Sequence, residues 1–156
     1  MDSYSWLVII LSLAFSAFFS GLEIAFVTAN KLRIELKNKQ GSLAARILST
    51  YVKSPGKFIS TILIGNNIAL VLYGIYAGEI LDSWFKNIIP LEYQYPFFLL
   101  VLQTLFSTAL VLVVAEFLPK VLFRINPDLI LFKLVWVFQI FYFLFLVPVN
   151  FTTWLA

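Results

Sequence analysis

Four long apolar runs, separated by short polar or charged links, set the pattern of this chain. The first extends from about Tyr4 to Thr28, the second from Phe58 to Leu81, the third from Phe97 to Phe123 and the fourth from Leu129 to Val147. Each reaches the roughly 20 residues that a helix needs to cross the hydrocarbon of a bilayer. The first does not have the form of a secretory signal, because Met1-Asp2-Ser3-Tyr4 lacks a basic region and the run that follows is too long. The pattern predicts three spanning helices over 4–28, 58–81 and 97–123. The fourth segment, 126–156, either spans once or forms a short hairpin at the inner face, turned near Pro148.

Between the first two runs the pattern changes. Lys31, Arg33, Lys37, Lys39, Arg46, Lys53 and Lys57 stand against a single acid, Glu35. Leu32, Leu36, Leu43, Ile47 and Tyr51 recur at helical spacing, with Gly41 as a break. The stretch 31–53 therefore reads as one or two amphipathic belt helices on the membrane surface, with a solvated charged loop as the plainer alternative. Its charge places it in the cytoplasm, so the N-terminus is expected outside. The link from Asp82 to Pro96 then falls outside, with Trp6, Trp84, Tyr93 and Tyr95 at the level of an outer aromatic belt. Lys120, Arg124 and Lys133 return the end of the third span to the inside.

Composition sharpens this picture. Of 156 residues, 62% are hydrophobic and 12% charged, against about 45–50% and about 25% in soluble domains. The chain reads as an all-α membrane protein with one domain over 1–156. It has no Cys and no His, which removes disulfides, thiol nucleophiles and imidazole chemistry. What remains is oxygen chemistry, suited to hard cations such as Mg²⁺ or Ca²⁺. The net charge of +3 does not point to nucleic acid, since the basic residues cluster where membrane topology puts them. Glu23 and Glu116 could act as acid and base, but no nucleophile motif accompanies them, so an enzyme is not expected.

The polar groups inside the apolar runs carry the candidate chemistry. Ser12, Ser16, Ser20 and Glu23 form one helical stripe, beside the small pair Ala17 and Gly21. Gly65-Asn66-Asn67 interrupts the second run. Glu116 is the only charge between Glu92 and Lys120, and Pro119 follows it. A carboxylate at the centre of a spanning helix costs at least about 2.5–3.5 kcal/mol, which makes Glu116 a functional suspect. Counting along each run puts Ser16 and Ser20 about 9–15 Å above the inner boundary and Asn66 about 12 Å above it. Glu116, about 28 Å from Phe97, falls lower, near the inner rim. Plainer roles compete. Serines bond their own i−4 carbonyls, asparagines bridge helices, Glu23 can pair with a basic residue, Glu116 can pair with Lys120 at i+4, and Gly74 and Gly78 read as packing.

The segments Ser16-Ala-Phe-Phe-Ser20-Gly21-Leu-Glu23, Leu63-Ile-Gly65-Asn66-Asn67 and Ala115-Glu116-Phe-Leu-Pro119-Lys120, with the basic stretch after the first run, resemble the membrane domain of the CorC/cyclin M (CNNM) family. The resemblance implies a homodimeric Mg²⁺ transporter of the plasma (inner) membrane, usually considered an exporter, with Na⁺ as a candidate coupling ion. It implies three spans plus an inner-face hairpin, and so favours the hairpin for 126–156. It also implies Mg²⁺ ligands at Ser16, Ser20, Gly21 (through its carbonyl), Asn66 and Glu116, with Asn67 and Glu23 as further candidates. Some relatives carry a second Asn four residues after the first, where this chain has Leu70; either Asn67 substitutes or the site has one ligand fewer. Family members continue into cytoplasmic CBS domains, so this chain is expected to be the membrane domain alone, with CBS domains downstream in the full-length protein. The alternative function is a Mg²⁺-binding membrane sensor or scaffold that regulates another transporter.

Overall fold

The computed structural model describes residues 3–155, so Met1, Asp2 and Ala156 at the ends of the expected domain lie outside it. Every regular element among the described residues is helical. They are α1 (Ser3–Thr28), α2 (Lys31–Lys39), α3 (Leu43–Lys53), α4 (Pro55–Ile88), a short 3₁₀ turn (Leu91–Tyr93), α5 (Pro96–Val111), a π-helical segment (Leu112–Phe117), α6 (Leu118–Ile125), α7 (Pro127–Leu144) and α8 (Leu146–Leu155). Local chemistry explains the boundaries. Pro55, Pro96 and Pro127 each open a helix, where the missing N–H costs nothing and the fixed φ is already helical. Asn30 and Ser42 cap α2 and α3 by accepting from the Arg33 and Ala45 amides. Gly41, at φ +87°, makes the break between them, a left-handed conformation that glycine adopts without penalty.

Four stretches are long and apolar enough to cross a membrane: Tyr4–Thr28, Pro55–Ile88, Pro96–Ile125 and Pro127–Leu144. The last apolar segment breaks at Phe145, not at Pro148. Pro148 sits in the first turn of α8, a position that tolerates proline, so it does not mark the bend.

Helix α1 is the hub and packs against α4, the π segment with α6, and α7. One core joins its later half to α2, α3, α4 and α7. At its centre Phe58 stacks on Phe26 at 4.1 Å and on Phe138 at 4.0 Å, while the Tyr51 ring meets both Phe58 and Phe138 edge-on. The amphipathic segment is thereby anchored through Ile34, Leu48 and Tyr51, which are buried, while Leu32, Leu36 and Leu43 remain exposed beside the basic residues. The stripe expected from spacing is thus split between core and surface. Glu35, the one acid there, accepts from the Ser49 hydroxyl at 2.6 Å and ties α2 to α3. A smaller core, Ile9, Tyr73, Ala77 and Ile80, joins α1 to α4 at the opposite end.

The start of α7 is pinned beside the end of α1. Asp128 accepts from the Asn30 backbone N–H at 3.0 Å and from the Arg33 guanidinium at 3.1 Å. Arg33 is well exposed, so the ion pair contributes little, and the bond to the amide is the stronger part. Asp128→Ala is expected to lower stability by about 1–2 kcal/mol, read as a fall in melting temperature in detergent; Asp128→Asn should recover part of it.

Candidate ion site between the helices

The site is built where α1 crosses α4. The Ser16 hydroxyl donates to the Asn66 side-chain oxygen at 2.6 Å. Ser16 is fully buried and Asn66 half-buried. Two helices running in opposite directions reach this contact because Gly65 lets α4 close on α1, while Gly21 lets α6 close on α1. A Cβ at Gly65 would collide with the Phe19 ring, and one at Gly21 would lie 2.5 Å from the Phe123 ring of α6. Gly21 and Gly65 are therefore close-approach positions, whatever their carbonyls do. Ser12 and Ser20, one turn to either side of Ser16, are buried too. The serine stripe faces the helix bundle, and its middle member bonds across to α4.

Glu116 lies in the π segment that packs beside α1. Leu13 and Leu110 pack on the same small core, and Lys120 reaches Glu23 at 3.6 Å. Those two contacts fix the register of the parallel α1 and α5–α6, and Glu116 falls between them, opposite the turn from Ser16 to Ser20. Relative to Ser16 and Ser20, this register sets Glu116 higher than the count from Phe97 does. The helices do not begin at a common depth, so residue counts from their ends are not comparable.

The third helix is also not plain α-helix at this point. Leu112–Phe117 is π-helical, with the Leu118 N–H bonding back five residues to the Val113 carbonyl. Pro119 explains the defect. It has no N–H, and its ring would clash with the carbonyl of Ala115 in a regular helix; widening the preceding turn removes the clash. The widening leaves the Val114 carbonyl without its usual donor, since Leu118 serves Val113 and Pro119 has nothing to donate. π segments of this kind recur at functional sites, and this one contains the carboxylate.

The remaining candidates sort differently. Lys120 pairs with Glu23, not with Glu116, and both members are about 40% exposed. Glu23 sits one turn beyond Ser20, at the edge of the cluster. Asn67 is exposed, 100° around α4 from Asn66, so this chain does not bring it to the Ser16 contact; Leu70 is half-buried and has no ligand atom. Gly74 and Gly78 have no neighbour within reach of an added Cβ, so the expected packing role is not filled within one chain. Among the described residues no three His, Cys, Asp or Glu side chains cluster. A cation here would meet neutral oxygens and one carboxylate. Glu23→Gln, breaking an exposed pair, is expected to change stability by less than about 1 kcal/mol in a thermal melt.

Residues 7–156 match the cyclin M transmembrane N-terminal domain. The chain is 33% identical over 113 residues to the UPF0053 inner membrane protein YfjD of Escherichia coli (strain K12), across 72% of this chain and 24% of that protein. It is 31% identical over 141 residues to the UPF0053 protein MG146 homolog of Mycoplasma pneumoniae, across 88% of this chain and 31% of the relative. A shorter match of 71 residues, 35% identical, is to the polyamine export protein of Escherichia coli (strain K12), across 46% of this chain and 16% of that protein. The chain thus spans about a quarter to a third of the length of YfjD and the Mycoplasma protein.

Proposed function

This chain belongs to the cyclin M transmembrane-domain family, and on that premise we propose that it moves Mg²⁺ across the membrane, in the direction of export, through a site between α1, α4 and the π segment. The observation that carries the reading is the part-buried Ser16–Asn66 hydrogen bond at 2.6 Å, which gathers neutral oxygens from two helices at the level of Glu116. Ser20 and the Gly21 carbonyl extend the oxygen set along α1. Mg²⁺ surrenders its water reluctantly, so a site with one carboxylate suits an ion that keeps part of its hydration shell. The π turn gives the third helix a place to change its hydrogen bonding as the ion passes, as the discontinuous helices of transporters do.

The proposed topology has three spans, with the N-terminus outside and α2–α3 on the cytoplasmic surface. Two contacts support a re-entrant α7 in place of a fourth span. Its first turn meets the end of α1 at Asn30, yet Phe141, three residues before its end, already lies against Phe15, Phe18 and Phe19 near the middle of α1. An α7–α8 hairpin that returns to the inner face accounts for both. The open Gly74–Gly78 face of α4 is where a second copy would pack in a homodimer, and CBS domains would follow in the full-length protein.

A second reading has its own support, because one relative is named a polyamine export protein. A polyamine is an extended organic cation that a single carboxylate and a row of oxygens could also hold. Proteoliposomes separate the readings. Mg²⁺ flux that spermidine does not compete with supports the first, spermidine flux the second. Mg²⁺ binding with no flux of either would make the domain a sensor or scaffold and overturn transport.

A further inference from the structure

A small cavity lies away from the ion site, at the junction of α3, the first turn of α4 and α7. It has a volume of about 160 Å³ and is lined by Ile47, Thr50, Tyr51, Lys57, Gln139 and Tyr142. No carboxylate lines it. Its hydrogen-bonding capacity is one-sided. The Tyr51 hydroxyl donates to the Gln139 side-chain oxygen at 2.7 Å, which fixes that amide so that its NH₂ group is left to donate. Burial pushes the Tyr51 phenol well above its ordinary pKa, so that hydroxyl keeps its proton and the amide keeps its orientation. The Thr50 hydroxyl is committed to the Arg46 carbonyl at 3.2 Å. The Lys57 ammonium and the Tyr142 hydroxyl have no hydrogen-bond or ion-pair partner among the described residues. Lys57, Gln139 and Tyr142, which carry an ammonium, a carboxamide NH₂ and a phenol O–H, thus line one small space that no acidic residue lines.

We propose that this cavity binds a phosphate group, with Lys57 supplying the charge and Gln139 and Tyr142 the directed hydrogen bonds. Lys57 lies in the first turn of α4, whose N-terminal end carries the positive pole of a 34-residue helix. In the proposed topology the cavity sits where the chain enters the bilayer from the basic α2–α3 surface, at the depth of phospholipid phosphates. Exposed Leu32, Leu36 and Leu43 hold that surface against the acyl region. Bound there, the headgroup of an anionic phospholipid would fasten α3 and α7 to the start of α4. This assignment rests on the membrane-surface placement of α3 but not on ion transport, so its test uses a binding readout.

In the lipid arm, the protein is taken from vesicles of phosphatidylcholine mixed with phosphatidylglycerol and lipid retention is read by native mass spectrometry. Wild-type protein should keep phosphatidylglycerol in preference, Lys57→Gln should cut retention about tenfold, and Tyr142→Phe should cut it less. Lys39→Gln, which removes an exposed basic residue outside the cavity, should leave retention unchanged. In the soluble arm, inorganic phosphate is titrated into delipidated protein and followed by phosphorus NMR. Lys57-dependent binding in the first arm assigns the site to lipid, and in the second arm alone to a soluble phosphate. Retention that falls equally in Lys57→Gln and Lys39→Gln, with no Lys57-dependent phosphate signal, overturns the site, because general surface charge would then explain it. Gel filtration and a thermal melt confirm that each variant is folded.

Discussion

Glu116→Gln is expected to stop Mg²⁺ movement in proteoliposomes while leaving the protein as stable as wild type, or more so. The two effects differ in sign for one reason. Among the described residues Glu116 makes no hydrogen bond or ion pair, since the nearby ammonium of Lys120 goes to Glu23. Neutralising the carboxylate strands no partner, and it removes a charge that is costly at membrane depth. A cation in the site loses its one anionic partner. At about 4 Å and an effective dielectric near 20, a pair of unit charges is worth about 4 kcal/mol, so affinity should fall by between about a hundredfold and a thousandfold. Glu116→Asp keeps the charge but sets it back by a methylene and should retain partial flux. Asn66→Ala, which removes one neutral oxygen and frees the Ser16 hydroxyl, should weaken flux less than Glu116→Gln. Wild-type flux in the Glu116→Gln protein, folded by gel filtration, would sink the proposed site.

Much of this architecture is legible in the sequence because the membrane simplifies the physics. Apolar runs of spanning length have to be helices, since hydrocarbon offers backbone groups no other partner. Pro55 and Gly41 then punctuate them as local chemistry dictates. Which polar group meets which is set by helix rotation and register, and these come from packing. Asn66 and Asn67 are adjacent and chemically identical, yet only Asn66 faces α1. Glu23 finds Lys120 from another helix, while the i+4 pair suggested by spacing does not form. Pro119 signals a defect in the third helix, but not that the defect takes the form of a π turn that includes Glu116. The Lys57 cavity has no sequence signature, because its three donors lie on segments separated by some 80 residues.

Gly65 and Gly74 lie on the same helix and should respond oppositely to alanine. In a helix interior Gly→Ala stabilises by roughly 1 kcal/mol through propensity alone. Gly74 meets nothing that an added methyl would touch, so Gly74→Ala should realise that gain in one chain; a loss appearing only in a dimer would locate packing against a second copy. At Gly65 the methyl lands on the end of the Phe19 ring. That ring has little room to retreat. It is 2% exposed, with Phe18 at 5.2 Å and Phe141 at 5.1 Å between ring centres. The strain passes to the α1–α4 crossing, where overpacking typically costs about 1–3 kcal/mol. The crossing is also where Ser16 meets Asn66, one residue along from Gly65, so separating the helices should break the 2.6 Å bond. Gly65→Ala is therefore expected to lower the melting temperature in detergent and to reduce flux together. Adding Phe19→Leu, which opens space beneath the new methyl, should restore a good part of both. A Gly65→Ala protein as stable as Gly74→Ala would mean that α1 and α4 do not close at this point, and the oxygen cluster would lose its geometric basis.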